Sequence, residues 1–463
     1  MKKSYILPAL FVFAVAGSAS GQQFGTSYFM TGSVLRTEVN PALRPERGYV
    51  KIPVIGMANV NYASNALQLN NLFYPKDGAL VSFLDRSVSA DGFLSTLNSM
   101  NTLAVGARTS VLGAGFFSGR SFFSLDVYLR LTSEAGLPKQ LFEFMKLGSG
   151  AEGGTYDLSG LSLSAGLYAE AALGWSYKVG KWVTVGAKAK YLGGLGRVSM
   201  NYDRLDLKFS DESWEIQATG NLEVMSKGTE FRDKSDGGKE YIDLDFDRMK
   251  FKGLAGSGFA FDFGVEWDVL GYVKVSASVL DLGMIRWSEG STTRGVSEGS
   301  YSFGGFDIVD GVDKGASSAD DFEDFTRFTR QEPRKTNSRL VSTFVVGAEW
   351  PVVRDFFSLG ALWALENREF NNRNQFTLSA TLRLFDWLSG ALSYTLDSEK
   401  SARNVFGVVL CFHPKWINFY LGSDFLTTKY SPQMIPVRQK AMNLYCGLSI
   451  PITRNRYIGA NSL

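Results

Sequence analysis

The chain contains few of the side chains that usually do covalent or metal chemistry: one histidine, His413, and two cysteines, Cys411 and Cys446. His413 stands before Pro414 in a predicted turn, so a histidine-assisted hydrolase would have a single candidate base at the end of a strand. Two thiols do not build a disulfide framework. We therefore expect no enzyme, no cofactor and no metal site.

Charged residues offer a different chemistry, because many of them recur at every second position of otherwise apolar segments. Glu170 and Lys190 are the pair that we single out as neighbours in the predicted lumen. Both signs are interleaved, which favours internal ion pairs over a single-sign ion filter. The predicted inward set is Arg108, Asp126, Arg130, Glu170, Lys188, Lys190, Asp262, Glu266, Lys274, Glu349, Glu366 and Arg383.

The segment that positions these charges is the alternating stretch WSYKVGKWVTVGAKAKYL, Trp175 to Leu192. Its odd positions are apolar or aromatic, and its even positions include glycine, serine, threonine and lysine. A period of two predicts β-strands with one apolar and one polar face. Such strands cover a soluble core or separate lipid from water.

Fourteen segments show this alternation, and an even number of strands of this length is what a closed antiparallel outer-membrane barrel requires. The predicted fold is all-β: a transmembrane antiparallel outer-membrane β-barrel of about 14 strands with an N-terminal lumen segment and long external loops. The segments are 50–62, 101–112, 121–133, 161–179, 182–202, 256–267, 271–283, 340–350, 356–366, 375–384, 388–397, 404–413, 416–426 and 441–450.

Connection lengths and tryptophan positions support a barrel in lipid. Short turns alternate with long connections, including those at 203–255 and 284–339, as expected of periplasmic turns and external loops. Six of the nine tryptophans stand near the short turns, which is typical of an interfacial aromatic belt. They are Trp175, Trp182, Trp267, Trp350, Trp387 and Trp416.

The N-terminus indicates export. Two lysines precede a short apolar run and a small-residue cleavage site, so residues 1–21 are predicted to be a signal peptide. The remaining chain divides into a plug-like segment at 22–49, a barrel at 50–451 and a periplasmic tail at 452–463. A net charge of +2 gives no reason to expect nucleic acid. The expected location is the bacterial outer membrane, with its lipid as the first partner.

Residues 22–49 are too polar to face lipid. Asn40 is placed to cap a short turn with Pro41 at its first position and Ala42 after it. Two interpretations remain open: a periplasmic leader that merely begins the first strand, or a plug inside a polar lumen. The arginines of this segment are Arg36, Arg44 and Arg47.

The stretch LPKQLFEFMKL, residues 137–147, predicts a short external helix that begins after Pro138. Its apolar face either packs over the barrel mouth or borders an entrance for an apolar ligand. The residues concerned are Leu141, Phe142, Phe144 and Met145.

Four stretches carry a family resemblance: Tyr168 to Gly194, SVLDLGMIRW at Ser278 to Trp287, YSFGGFDI at Tyr301 to Ile308, and NPAL at Asn40 to Leu43. They resemble an uncharacterised group of Bacteroidota outer-membrane proteins, which is similar to the long-chain fatty acid transporter (FadL-type) barrels. The resemblance implies a fourteen-stranded barrel with its N-terminal segment in the lumen, and passive conduction of small hydrophobic molecules. The alternative, suggested by the long external loops, is a non-transporting accessory barrel in protein secretion or surface assembly, with an unknown protein partner.

Two finer expectations concern side-chain positions. A three-residue loop centred on Gly180 would set Glu170 directly opposite Lys190, whereas centring on Lys181 would make them diagonal neighbours. Cys411 is expected to point inward and Cys446 toward lipid, two strands apart. Because that separation exceeds the reach of a disulfide, we expect both thiols to be free.

Overall fold

The computed structural model describes residues 24–454, except 31, 77–78, 149–153, 210–213, 237–238, 245–248, 304–326, 371, 398–404 and 427–439. The predicted signal peptide, residues 1–21, lies outside this part of the chain, and so do residues 455–463 of the predicted tail. The last strand runs to Arg454, three residues beyond the expected end of the barrel at 451.

The described chain is mostly β-strand. The first strands are β1 Arg47–Lys51, β2 Ala58–Ser64, β3 Phe73–Lys76, β4 Ala79–Ser82, β5 Met100–Ser118, β6 Ser121–Pro138, β7 Thr155–Asp157, β8 Ser162–Val179, β9 Val183–Phe209, β10 Trp214–Ser226, β11 Asp233–Asp236 and β12 Lys239–Ile242. The others are β13 Gly256–Val269, β14 Val273–Trp287, β15 Thr292–Phe303, β16 Thr329–Gln331, β17 Thr336–Arg339, β18 Ser342–Val353, β19 Phe357–Asn367, β20 Arg373–Phe385, β21 Leu388–Asp397, β22 Val405–Phe412, β23 Asn418–Ser423 and β24 Ala441–Arg454.

Helices are few and short. They are α1 Arg36–Val39, α2 Leu69–Leu72, α3 Ala90–Leu94 and α4 Lys139–Leu147, with a 3-10 turn at Glu289–Ser291. Within the residues that the structure describes, no helix has the length and apolar character needed to cross a membrane.

Fourteen strands close into an antiparallel barrel. The first is formed by β1 and β2 together, which pair with β24 on one side and β5 on the other. Closure leaves no free edge, so the backbone polar groups of the wall bond to one another. The predicted all-β, fourteen-stranded fold is confirmed. The remaining wall strands are β5, β6, β8, β9, β13, β14, β18, β19, β20, β21, β22, β23 and β24.

The wall has an apolar outer face and a mixed inner face. Along β13, Phe259, Phe261 and Phe263 are exposed, whereas Ala260 and Asp262 between them are buried. The same period of two holds in β8 and β9. Trp175, within β8, and Trp182, in the turn just before β9, are both exposed. An outward band of large apolar side chains is the surface expected of a barrel in lipid.

The first wall strand departs from its expected continuous course at 50–62. Residues 52–57 separate β1 from β2, and Val54 within them adopts a positive φ of 68°. Val54 N donates to Ser110 O and Ser110 N donates to Met57 O, so the interruption remains attached to β5. β5 itself shifts register between Ser110 and Leu112. A β-bulge of this kind is not visible in an alternation pattern, because it inserts residues without changing their types.

The external side carries a second sheet that grows out of the wall. β9 is 27 residues long: its first half pairs with β13, and its second half leaves the barrel and pairs with β10. β10 then pairs with β15, which pairs with β16. Side chains of β9, β10 and α4 form one buried apolar cluster under this sheet. Much of the two long connections is therefore folded structure.

The first prediction concerns the two thiols, which are both free in the structure. Cys411 is buried on β22, and Cys446 pairs on β24 with Leu421 and Ala58. Mass spectrometry of the non-reduced protein should find both as unmodified thiols, because β22 and β24 are separated by β23. A Cys411 to Cys446 disulfide would contradict the strand order.

Candidate functional site

The N-terminal segment, residues 24–46, contacts inward-facing side chains on opposite sides of the barrel. Thr26 Oγ1 lies 2.6 Å from Ser393 Oγ of β21. Tyr28 Oη lies 3.0 Å from Ser276 Oγ of β14, and Ser278 Oγ donates to Val39 O at 2.7 Å. Most residues of the segment are buried. Contacts with such distant strands place it across the lumen.

Asn40 organises the turn at the centre of the segment. Its Oδ1 accepts a hydrogen bond from Ala42 N at 2.9 Å, and its carbonyl accepts one from Leu43 N. Pro41 occupies the position where a fixed φ favours such a turn. The amide Nδ2 of Asn40 donates to backbone carbonyls of the adjacent wall strands β13 and β14. The turn thus has local and wall contacts.

Two glycines on the wall make room for this turn. Gly186 of β9 and Gly264 of β13 are directly paired across the strands. A Cβ on Gly186 would overlap the backbone of Pro41, and one on Gly264 would overlap Asn40 Oδ1. Glycine at these two positions therefore permits a close backbone approach that a larger residue would prevent.

The three arginines of the predicted set occupy three different places. Arg36 donates to Tyr28 O and lies 3.5 Å from Glu266 Oε1 of the wall. Arg44 donates to Arg120 O in the short turn between β5 and β6. Arg47 is the first residue of β1, so it belongs to the barrel wall and not to the segment.

The residue with the densest polar contacts in the segment, Glu38, was missed by sequence analysis. Its carboxylate lies 2.9 Å from Lys51 Nζ, 3.0 Å from Arg108 Nη2 and 3.6 Å from Lys188 Nζ. Tyr128 also donates to it. The side chain is 1% exposed. Because a short irregular stretch shows no periodicity, no pattern marked Glu38 as the residue that faces the wall.

Glu38 joins a buried charge network that includes side chains from each of the first seven wall strands. The network holds five basic and five acidic groups, so its formal charges cancel. Pairing is what makes so many buried charges tolerable. The basic residues are Lys51, Arg108, Arg130, Lys188 and Lys190, and the acidic ones are Glu38, Asp126, Glu170, Asp262 and Asp281.

A bulge supplies one of these acids. In the β13 to β14 register, Phe263 pairs with Val279 and Phe261 with Leu282, so Leu280 and Asp281 oppose Asp262 alone. Asp281 has a positive φ of 57° and is 1% exposed. Simple alternation would place Asp281 on the lipid face. A charged residue at a lipid-facing position was the available signal that a bulge redirects it inward.

Of the two loops considered for the β8 to β9 hairpin, the structure has the second, which shifts the register by two residues from the directly opposed arrangement. Val179 pairs with Val183, so the loop is centred on Lys181 and not on Gly180. Glu170 faces Leu192 and Lys190 faces Ala172. The two charges are diagonal neighbours 3.9 Å apart. Both loops satisfy the parity of the strands, so alternation could not choose between them.

The closer partners of both charges come from other strands. Arg130 Nη1 lies 2.7 Å from Glu170 Oε2. Lys190 Nζ lies 2.6 Å from Asp281 Oδ1 and 2.7 Å from Asp262 Oδ2. The predicted contact between Glu170 and Lys190 is thus the longest contact that either residue makes within a larger network of ion pairs.

The external helix α4 places its apolar side chains against other external elements. Leu141 and Phe142 are buried. Phe144 stacks on Phe209 with ring centroids 5.5 Å apart. Met145 packs against the apolar cluster under the external sheet and against a second cluster that contains Phe142. None of these four residues borders the lumen cavity described next.

A cavity of about 570 Å³ opens on the external side of the charge network. Arg130 belongs to both, and the cavity extends past Glu134 and Ser164 toward the loop that follows β19. Its wall is rich in hydroxyl and charged groups. This volume falls in the range of small-molecule sites.

Hydrolase chemistry finds no support in the geometry. Ser389 Oγ lies 3.1 Å from His413 Nε2, but the void beside His413 measures only about 10 Å³. Gly295 to Gly299 matches G-x-S-x-G, a motif that sequence analysis overlooked. Its Ser297 lies inside the external strand β15, paired with Gly220, and not at the strand-to-helix turn that exposes a nucleophile.

Sequence comparison places the chain in a family. A family model described as a family of unknown function (DUF5723) matches residues 41–424. The chain belongs to this family. No curated protein matches the sequence.

Solved structures that resemble the chain are outer-membrane barrels. The Ralstonia pickettii toluene transporter TbuX is 9% identical with a TM-score of 0.46, covering 94% of this chain and 100% of that one. The P. putida toluene transporter TodX is 9% identical with a TM-score of 0.40, covering 96% and 98%. A Pseudomonas aeruginosa FadL homologue is 9% identical with a TM-score of 0.43, covering 94% and 98%. Such values do not establish a shared function.

The second prediction tests which partner of Glu170 dominates. In double-mutant cycles, Glu170→Gln with Arg130→Met should show a coupling of about 1–3 kcal/mol in the free energy of unfolding. Glu170→Gln with Lys190→Met should show less than about 0.5 kcal/mol, because Lys190 has two nearer carboxylates. Urea denaturation followed by heat-dependent gel mobility measures both cycles. A larger coupling to Lys190 would contradict the register.

Proposed function

We propose that this member of DUF5723 is a passive outer-membrane channel for small hydrophobic molecules, closed in this conformation by its N-terminal segment. In this proposal the apolar outer band contacts outer-membrane lipid, and residues 24–46 act as the plug. The cargo enters from the external side, where the cavity opens.

The observation that carries the proposal is the apolar surface beneath the segment. Aromatic and aliphatic side chains of the segment, among them Phe24 and Tyr28, pack on inward residues of the later strands. Phe24 meets Tyr445 edge to face at 5.1 Å. The wall residues of this surface include Val345, Leu362, Ala391, Val409, Tyr420 and Tyr445.

Departure of the segment would expose that surface inside the barrel. An apolar stripe along one side of a lumen lowers the cost of transferring a hydrophobic molecule from the external face. Charged groups on the opposite side stay paired with one another, because Lys51 keeps Asp126 and Arg108 keeps Glu170. Among the three cations that Glu38 contacts, only Lys188 loses its ion-pair partner in the described part of the chain. The lumen would then be apolar on one side and polar on the other.

The mode of attachment fits a segment that can leave. The wall strands bond to one another around the full barrel. The hydrogen bonds between the segment and the wall involve mostly side chains. Because the wall satisfies its own backbone groups, the barrel does not depend on the segment for closure.

A second candidate is an accessory barrel in secretion or surface assembly. The observation that favours it is the external sheet of β9, β10, β15 and β16, which presents a folded surface beyond the wall. In that case the lumen would stay sealed, and a protein would bind outside.

The third prediction separates the two candidates. In planar bilayers, a variant lacking residues 22–46 should conduct ions more strongly than the complete mature chain, since only the lumen contents change. Glu38→Gln should raise the frequency of opening, because it removes one member of a buried ion-pair cluster, a loss of about 3–5 kcal/mol in typical proteins.

The matched control is Glu143→Gln, which alters a carboxylate on the external helix α4 and should leave conductance unchanged. Heat-dependent gel mobility must show that every variant is folded. Equal conductance of the truncated and complete chains would reject the plug and favour the accessory role.

The fourth prediction concerns acid. Although burial opposes ionisation, Lys188, Lys51 and Arg108 hold the pKa of Glu38 well below its usual range. Because the pKa of Glu38 is lowered in the folded protein, the ion pairs give their full stabilisation at pH values above its pKa in the unfolded chain, about 4.3. They weaken only as the pH falls through the lower pKa of the folded protein. Lowering the pH from about 7 to about 5 should therefore not open the wild-type channel. Reversible opening between about pH 7 and pH 5 would show that the ion pairs of Glu38 do not hold the segment in the lumen.

A further inference from the structure

The cavity on the external side of the charge network is a binding site in its own right. We propose that it binds a small, neutral, hydroxyl-rich group, such as a sugar. This inference goes beyond the proposed channel and does not depend on transport, because a vestibule can bind a ligand whether or not the lumen opens.

The first argument is an acceptor that lacks a donor. Glu134 borders the cavity and is 7% exposed. Its Oε2 accepts a hydrogen bond from Phe370 N at 3.4 Å, whereas its Oε1 has no hydrogen-bond partner in the described part of the chain. A buried carboxylate oxygen without a donor is costly, so a small rotation that brings Oε1 to the cavity, where a ligand hydroxyl can donate to it, would be favoured.

The second argument excludes an anionic ligand. Four arginines border the cavity, and carboxylates already bind three of them: Arg130 contacts Glu170 and Asp281. The two others are also paired, Arg197 with Glu369 at 2.9 Å and Arg368 with Glu366 at 2.6 Å. An anion would have to displace one of these acids and would face the free oxygen of Glu134.

A fourth arginine does not alter this conclusion. Arg339 also borders the cavity, but it is exposed and pairs in the strand register with Met284. Met284 is an exposed residue of the outer face. The charge of Arg339 is therefore directed to the outside of the barrel.

The third argument excludes a cation. Glu369, the other carboxylate that borders the cavity, is already bound by Arg197 and Ser164. A cation would therefore meet only the one free oxygen of Glu134, which is too few ligands to hold it. A neutral hydroxyl group displaces no ion pair, and it needs only one acceptor oxygen.

Thr132, Ser133 and Ser164 line the same cavity. Because Thr132 Oγ1 already donates to Gly166 O and Ser164 Oγ already donates to Glu369 Oε2, these two hydroxyl oxygens serve as acceptors for the donors of a polyol.

Aromatic rings complete the site. Tyr168 and Trp287 border the cavity, and Trp287 Nε1 donates to Ser338 Oγ at 2.8 Å, which fixes its indole ring. Both residues are almost fully buried, so only a small part of each ring reaches the cavity, where it gives the apolar face of a sugar ring a surface to contact. The volume of about 570 Å³ accommodates a monosaccharide with bound water.

The sugar can come from two sources: a free saccharide or the head group of a glycosylated amphiphile. Glucose and hexyl glucoside distinguish these sources, and glucosamine and glucuronate test the charge argument. Calorimetric titration of the complete mature chain, in a detergent without a sugar head group, measures each affinity.

Glucose should bind saturably in the millimolar range, and glucosamine and glucuronate more weakly. Glu134→Met should weaken glucose binding about tenfold. Glu134→Gln should stay within about threefold of wild type, because Phe370 N takes its amide oxygen and its amide nitrogen can donate to a sugar hydroxyl, which accepts as well as donates. Glu143→Met on α4 is the control and should bind as wild type does. Gel mobility confirms that each variant folds.

Tighter binding of hexyl glucoside than of glucose would assign the site to a glycosylated amphiphile, and equal binding would assign it to free sugar; both results support the proposal. Absence of saturable glucose binding, tighter binding of either charged sugar, or equal affinity of wild type and Glu134→Met would overturn it. Conductance is not measured in these titrations, so failure of the channel proposal leaves their outcome unaffected.

Discussion

The contact between Glu38 and the basic groups of Lys51, Arg108 and Lys188 is the interaction on which the arrangement of the lumen depends. These three cations come from three different strands, and the network that they belong to holds five basic groups but only four acids from the wall. A carboxylate from the N-terminal segment completes the balance at a buried site. The segment is thus part of the electrostatics of the wall, which is why its position is fixed although it adds no strand.

The two halves of the wall treat the segment differently. Early strands present paired charges, and later strands present Val345, Leu362 and their apolar neighbours. The segment mirrors this division, because it turns Glu38 to one side and Phe24 and Tyr28 to the other. Burial of apolar surface stabilises the segment but does not fix its orientation, whereas the ion pairs of Glu38 require one orientation of the segment. Apolar packing and ion pairs together hold the turn at Asn40 and Pro41 in close contact with Gly186 and Gly264.

The polar vestibule follows from the same network. Arg130 uses its guanidinium on Glu170 and Asp281, so it closes the lumen side of the cavity without offering a free charge to the ligand. Arg197 and Arg368 are neutralised in the same way nearer the external rim. A wall made of satisfied ion pairs and one carboxylate oxygen without a donor differs from an ion-conducting filter, which presents rings of unpaired charge. Which ligands the cavity can bind therefore depends on how its arginines pair with carboxylates and not on its net charge.

Much of the fold was readable from the sequence, because a two-sided wall between lipid and lumen forces an alternation of period two on every strand. That constraint gave the fourteen strands, the outward aromatic residues and the inward positions of Glu170, Asp262 and Lys190. It could not give partners across the lumen, since alternation carries no information about strands that are distant in the chain. The bulge that turns Asp281 inward, the loop centred on Lys181 and the anchoring role of Glu38 were decided by tertiary structure. In each case the deciding factor was a local irregularity or a long-range charge contact, and neither leaves a periodic trace in the sequence.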